Sequence, residues 1–158
     1  MTKPVRVVAL GICRRDGRIL VERGYDRVHD EHFLRAIGGG VEPGERAAEA
    51  LAREWREELG LELEVGELIG VVENLYSYQG VPGHEVVLAF AARLVDEAVH
   101  DRGEFDCAEP SGLSHTALWV ALDELRGGAI PFYPRGLLEL LGDEPPRPVP
   151  HSTWRSPP

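Results

Sequence analysis

Glu54, Glu57 and Glu58 stand at i, i+3 and i+4 within the segment Glu45–Leu59. The segment is rich in Ala, Leu, Glu and Arg, has acids near its start, and is followed by Gly60, a residue suited to close a helix. Read as a helix, that spacing gathers the three carboxylates on one face. Ala48, Leu51, Ala52, Trp55 and Leu59 form an apolar stripe displaced from them by roughly 120°. Ala47 and Ala50 precede the acids on their own face, so nothing bulky covers it. Like charges at this spacing repel by about 0.2–0.5 kcal/mol per pair. The arrangement is therefore either a solvated face whose acids pair with Arg46, Arg53 and Arg56, or a cation site.

The preceding run, Gly38-Gly39-Gly40-Val41-Glu42-Pro43-Gly44-Glu45, favours the second reading. Glycine admits positive φ and lets a backbone approach a ligand closely. A hard divalent cation takes oxygen ligands, a few of them from protein and the rest from water and substrate phosphates. Three helical carboxylates beside a turn that offers a carbonyl make such a set. The whole chain of 158 residues holds 27 acids against 17 bases, a net charge of −10 with neutral histidines. That balance argues against a surface for duplex nucleic acid or an anionic membrane. It leaves phosphates within reach of a bound cation, which inverts the local sign.

The elements that must position these groups mix strands and helices. Val5–Cys13 and Arg18–Glu22 read as strands joined by a turn at Arg15-Asp16-Gly17. His32–Ile37 reads as a third strand, ended by the glycine run. Glu62–Asn74 and Glu85–Leu94 follow, separated by the loop Gln79–Gly83. Ala117–Val120 leads into Leu122–Leu125, and Gly136–Leu141 reads as a final short helix opened by Pro134. His100–Ser114, with its acids, glycines and a proline, is expected to be a long loop. One domain over 1–144 is expected, followed by a disordered proline-rich tail, 145–158. No apolar run approaches the roughly 18 residues of a membrane span, and Val7–Cys13 is too short for a signal peptide. Cys13 and Cys107 fit no metal or redox spacing, so a cytoplasmic domain is expected.

Gly39, five residues, Glu45, seven residues, then Arg53-Glu54-Trp55-Arg56-Glu57-Glu58-Leu59-Gly60-Leu61 resembles the signature of the Nudix hydrolases. Trp55 departs from it, standing where the family usually has an aliphatic residue. The resemblance implies an α/β (α+β) fold, a mixed β-sheet sandwiched between helices. It implies that Glu54, Glu57, Glu58 and the Gly39 carbonyl hold Mg²⁺, with Mn²⁺ as a substitute, and that Glu54 helps to activate water. Arg53 would orient the glutamates by pairing with Glu45, and Glu45 and Gly60 would be structural. The implied activity is metal-dependent cleavage of the phosphoanhydride of a nucleoside diphosphate linked to phosphate, a sugar or a second nucleotide. The family also includes dimers, so a homodimer is an open expectation. A nucleotide-sensing module without catalysis is the alternative, and it would lack the glutamates that are present here. An isopentenyl diphosphate isomerase on the same fold would need a catalytic cysteine and a different acid pattern.

Outside the signature, Arg35 is either a phosphate contact or part of a surface ion pair. Glu85 is either an exposed strand end or an additional acid of the cleft, with Glu104, Asp106 and Glu109 as rivals. Tyr76 and Tyr78 lie where a base-stacking tyrosine stands in some relatives, and aromatic stacking suits a nucleobase. His29 and His32 read as loop residues rather than ligands, with His32 at the start of the third strand.

Overall fold

The computed structural model describes residues 3–108 and 114–142. Strands β1 (Arg6–Arg15) and β2 (Arg18–Asp26) form a hairpin whose turn residues, Asp16 and Gly17, have φ of 50° and 72°. Positive φ at both positions is what a tight two-residue hairpin requires. β3 (Glu31–Gly40) runs on through the glycine run instead of stopping before it. Helix α1 (Ala47–Leu59) starts two residues later than the composition suggests, leaving Glu45 in the preceding turn. The Arg46 amide donates to Glu49 at 3.1 Å at its start, and Gly60 closes it with φ 66° and an N–H to the Arg56 carbonyl.

β4 (Leu63–Tyr78) and β5 (Val81–Leu94) make a long hairpin turned at Gln79-Gly80. A 3-10 helix (Glu97–Asp101), β6 (Glu104–Ala108), β7 (Ser114–Ala121), α2 (Leu122–Gly127), β8 (Phe132–Tyr133) and α3 (Leu137–Leu140) complete the described chain. The strands form a mixed sheet in the order β4-β5-β1-β3-β2-β7-β6, with β8 beside β3. β1–β5 and β3–β8 are parallel and the other pairs antiparallel. Alternation along β1 sends Val8, Leu10 and Ile12 into one core and Ala9 and Cys13 into the other. The first core receives Leu137 of α3 and Leu122 and Leu125 of α2, and the second receives Leu51 and Trp55 of α1. The sheet is thus covered by α1 on one face and by the short helices on the other. Burial pushes the Cys13 thiol far above its ordinary pKa, so it stays a protonated packing group.

Trp55 is fully buried, and its indole N–H donates to the Ile37 carbonyl at 3.0 Å. Gly11 of β1 makes room, since a Cβ there would lie 3.3 Å from the indole nitrogen. The expected loop His100–Ser114 is corrected. It contains the end of the 3-10 helix and β6, which pairs antiparallel with β7. Phe105 packs against the α1-side core, an alternation disguised by the acids on either side of it. The expected tail, 145–158, lies outside the described residues. Among the described residues no helix is long and apolar enough to cross a membrane.

Candidate active site

None of Gly38, Gly39 and Gly40 has positive φ, so the glycine run is not a left-handed turn. Gly38 and Gly39 are pressed by close neighbours, while Gly40 meets only the tip of the Arg6 side chain. A Cβ at Gly38 would lie 1.9 Å from the Ala9 carbonyl oxygen of β1. A Cβ at Gly39 would lie 2.2 Å from the Glu54 carboxyl carbon, and one at Gly40 would lie 3.1 Å from Arg6 Nη2. Strand alternation therefore aims Gly39 at α1 and Gly40 at the opposite face.

On the α1 face the charged groups converge on Arg53. Its Nε and Nη2 donate to the two Glu45 oxygens at 2.7 and 3.0 Å. Nη1 donates to Glu54 at 2.9 Å and Glu57 at 3.3 Å, and Nη2 also reaches the Gly40 carbonyl at 3.1 Å. One planar guanidinium thus ties the turn, the helix and the end of β3 together. The hydrogen bonds from Arg53, then that from the Glu42 amide, hold the Glu45 carboxyl below its ordinary pKa. Glu54 is largely enclosed, Glu57 is more than half exposed, and Glu58 lies half-buried one turn beyond Glu54.

Among the described residues no three potential ligand side chains already surround one point. The donor set nevertheless suits a hard cation: it is all oxygen, three carboxylates lie on one helix face, and Glu54 rests in a cradle that a side chain at position 39 would fill.

Glu85 lies on the other side of the ribbon. It shares its face of β5 with Val87 and Ala89, which belong to the core opposite α1. Register sets it between Arg6 of β1 and Asn74 of β4. Tyr76 Oη donates to Glu85 at 3.0 Å, Asn74 Nδ2 reaches it at 3.4 Å, and Arg6 Nη1 lies 3.5 Å away. The Tyr76 ring lies over Gly83, where a Cβ would come within 2.2 Å of it. Burial, then the Glu85 charge, holds the Tyr76 phenol protonated above its ordinary range.

The remaining candidates are distributed around the sheet. Arg35 donates to buried Glu22 through Nε and Nη2 at 3.0 and 3.2 Å, and His115 Nδ1 lies 3.0 Å from the same carboxylate. Tyr78 meets Phe33 edge-on at 5.8 Å between ring centres. Glu104 pairs with Arg23 at 3.2 Å, Asp106 is exposed on β6, and Glu109 lies outside the described residues. His29 pairs with Asp26, whose carboxylate also accepts from the amides of Val28 and Gln79 and so fastens the β4–β5 turn to that after β2. Sequence reasoning missed Arg6 and Asp26, because both act across strand pairings that no local spacing announces.

A half-open hollow of about 310 Å³ lies elsewhere, lined by Arg15, Asp16, Arg18, His100, Asp101 and Trp119. Its two aspartates offset its two arginines, and burial holds His100 below its ordinary pKa. It offers a phosphate no net positive charge.

With the α1 acids, the glycine ribbon and the mixed sheet in place, the chain belongs to the Nudix hydrolases, and residues 2–141 match the NUDIX domain. It is accordingly an enzyme of the hydrolase class. An RNA pyrophosphohydrolase of Azorhizobium caulinodans is 30% identical over 141 residues, covering 79% of this chain and 82% of that one. A CTP pyrophosphohydrolase of Escherichia coli is 43% identical over 67 residues, which span 42% of this chain and about half, 49%, of that protein. The solved MutT NUDIX hydrolase from Burkholderia pseudomallei is 29% identical, covers 77% of this chain and 86% of its own, and superposes with a TM-score of 0.56.

Proposed function

We propose that this Nudix hydrolase cleaves the phosphoanhydride of a nucleoside diphosphate linked to a further group, using a divalent cation held by Glu54, Glu57, Glu58 and the Gly39 carbonyl. The observation that carries the reading is the Arg53 clamp, which fixes Glu45, Glu54 and Glu57 around the Gly39–Gly40 ribbon. When bound, Mg²⁺ or Mn²⁺ supplies positive charge to the phosphoryl oxygens and makes water more acidic. In this reading Glu54, tucked against Gly39, takes the proton of the attacking water, while Arg53 holds its other oxygen in register. Glu57 is exposed enough to turn toward a ligand at little cost. Tyr76 and Tyr78, on the hairpin beside the opposite face, offer rings to a nucleobase. Arg35 stays with Glu22 as a structural ion pair in this reading.

The group beyond the diphosphate is phosphate, a sugar or a second nucleotide. CTP is the first compound to try, after the named activity of one relative, and RNA the second. The test is a panel of nucleoside triphosphates, RNA with a 5′-triphosphate, sugar nucleotides and dinucleoside polyphosphates, each with Mg²⁺, Mn²⁺ or excess chelator, with products separated by chromatography. The expected outcome is release of a nucleoside monophosphate that stops on chelation. Cleavage of nothing in the panel, or cleavage indifferent to chelator, would overturn the proposal.

A further inference from the structure

Across the Gly39–Gly40 ribbon from the α1 carboxylates, the geometry points to Arg6 as the side chain that grips the substrate's phosphoryl group nearest the nucleoside. This rests on the function proposed above and adds to it a substrate-binding residue outside the signature. Arg6 opens β1 in parallel register with Glu85. Its Nη2 lies 3.1 Å from the point where a Cβ at Gly40 would stand, and Nη1 lies 3.5 Å from Glu85 Oε1. The guanidinium is thus one strand thickness from Glu54, on the face that carries Tyr76 and Glu85.

The segment from Gly39 to Glu62 holds seven acids and three bases, so a phosphate chain passing it needs a cation from elsewhere. Arg53 is committed to three carboxylates and a carbonyl. Arg35 is gripped by Glu22 through two of its nitrogens, and Arg23 pairs with Glu104. Arg6 makes one long contact with Glu85 and meets the Tyr76 hydroxyl, and its side chain is still 56% exposed. A planar fork of donors suits a phosphoryl group better than an ammonium would.

Its neighbours steady it without using it up. Glu85 already accepts from Tyr76 and lies near Asn74, so it anchors one side of the guanidinium and leaves the outer side to a ligand. A chain that starts beside Gly39, passes Gly40 and ends with its base at Tyr76 meets Arg6 midway.

The test compares Arg6→Ala and Arg6→Lys in the full chain. It uses the nucleotide cleaved fastest in the panel and, for calorimetry with metal present, its non-hydrolysable α,β-methylene analogue. For Arg6→Ala, KM and the analogue's Kd should rise about tenfold or more, the loss expected for a charge-assisted contact, with kcat within about threefold. Arg6→Lys should recover part of that loss, and both variants should melt with the parent. Unchanged KM and Kd in Arg6→Ala would overturn the inference while leaving the proposed function intact. So would a fall in kcat and melting temperature together, which would mark a structural role. If the parent cleaves no nucleotide and binds no analogue, both proposals fail.

Discussion

The two sides of the Gly39–Gly40 ribbon are built on different plans. On the α1 side, Glu45, Arg53, Glu54 and Glu57 come from one turn and the helix that follows it, and their bonds are short and mutual. On the other side, Glu85 is held by residues from β1 and β4, at longer distances and with one neutral phenol among the partners. The first is a locally encoded clamp whose members fix each other. The second is assembled by strand register and is looser, as suits a surface that must admit a variable group. Under the proposed function the fixed face would hold the cation, and the looser face would receive the nucleoside end of the substrate.

The sharpest way to break this comparison is on the fixed side. Glu57→Gln and Glu54→Gln should each lower kcat by about 100-fold or more, the scale of losing a charged group that stabilises a transition state. Melting temperature should hold or rise slightly in Glu57→Gln, because clustered like charge is relieved, whereas Glu54→Gln weakens the enclosed pair with Arg53 and should lower it. A Glu57→Gln enzyme with native turnover would show that the α1 face is not where the reaction occurs.

Next comes Arg53→Ala, which strands Glu45 and Glu54. Removing one partner of a buried pair costs about 3–5 kcal/mol, and the 24% exposure of Arg53 brings the expectation down to about 2 kcal/mol, read by urea unfolding. Acid should act on the same clamp. The Glu45 carboxyl is depressed in the folded chain, so its contribution is present above the unfolded value, about 4.3, and is lost as pH falls through the folded value. Melting curves should therefore lose stability on acidification below that range, and Arg53→Ala should show a shallower loss. An equal slope in both proteins would remove Glu45 from the account.

The smallest effect belongs to the adjustable side. Tyr76→Phe removes one hydrogen bond to Glu85 and should cost about 1 kcal/mol or less, with KM moving by only a few-fold. If Tyr76→Phe matched Glu57→Gln in its loss of kcat, the division between the two faces would be wrong.

How much of this was legible follows the same division. The α1 acids, Arg53 and Glu45 lie within a short segment whose helical period is visible in the residues themselves, so their common face could be read directly. The glycine run was legible as a requirement for smallness but not for its cause. A turn and a straight strand pressed from both sides ask for the same residue, and only the neighbours Ala9, Glu54 and Arg6 tell them apart. Arg6 beside Glu85 depends on the parallel pairing of β1 with β5, a contact between distant segments. β6 was hidden for another reason: Glu104 and Asp106 face water on either side of Phe105, so its alternation resembled loop composition.

Trp55 and Gly11 carry a consequence for how such a chain can change over evolutionary time. With the indole in place, an Ala at position 11 would stand 3.3 Å from its nitrogen, tight enough that α1 must yield. With a smaller aliphatic side chain at 55, the same Gly11 would leave a void and the Ile37 carbonyl would lose its donor. Each residue is thus acceptable only against the background of the other. Change at either site alone is penalised, so exchanging the pair would have to pass through a less stable single mutant or change both positions together.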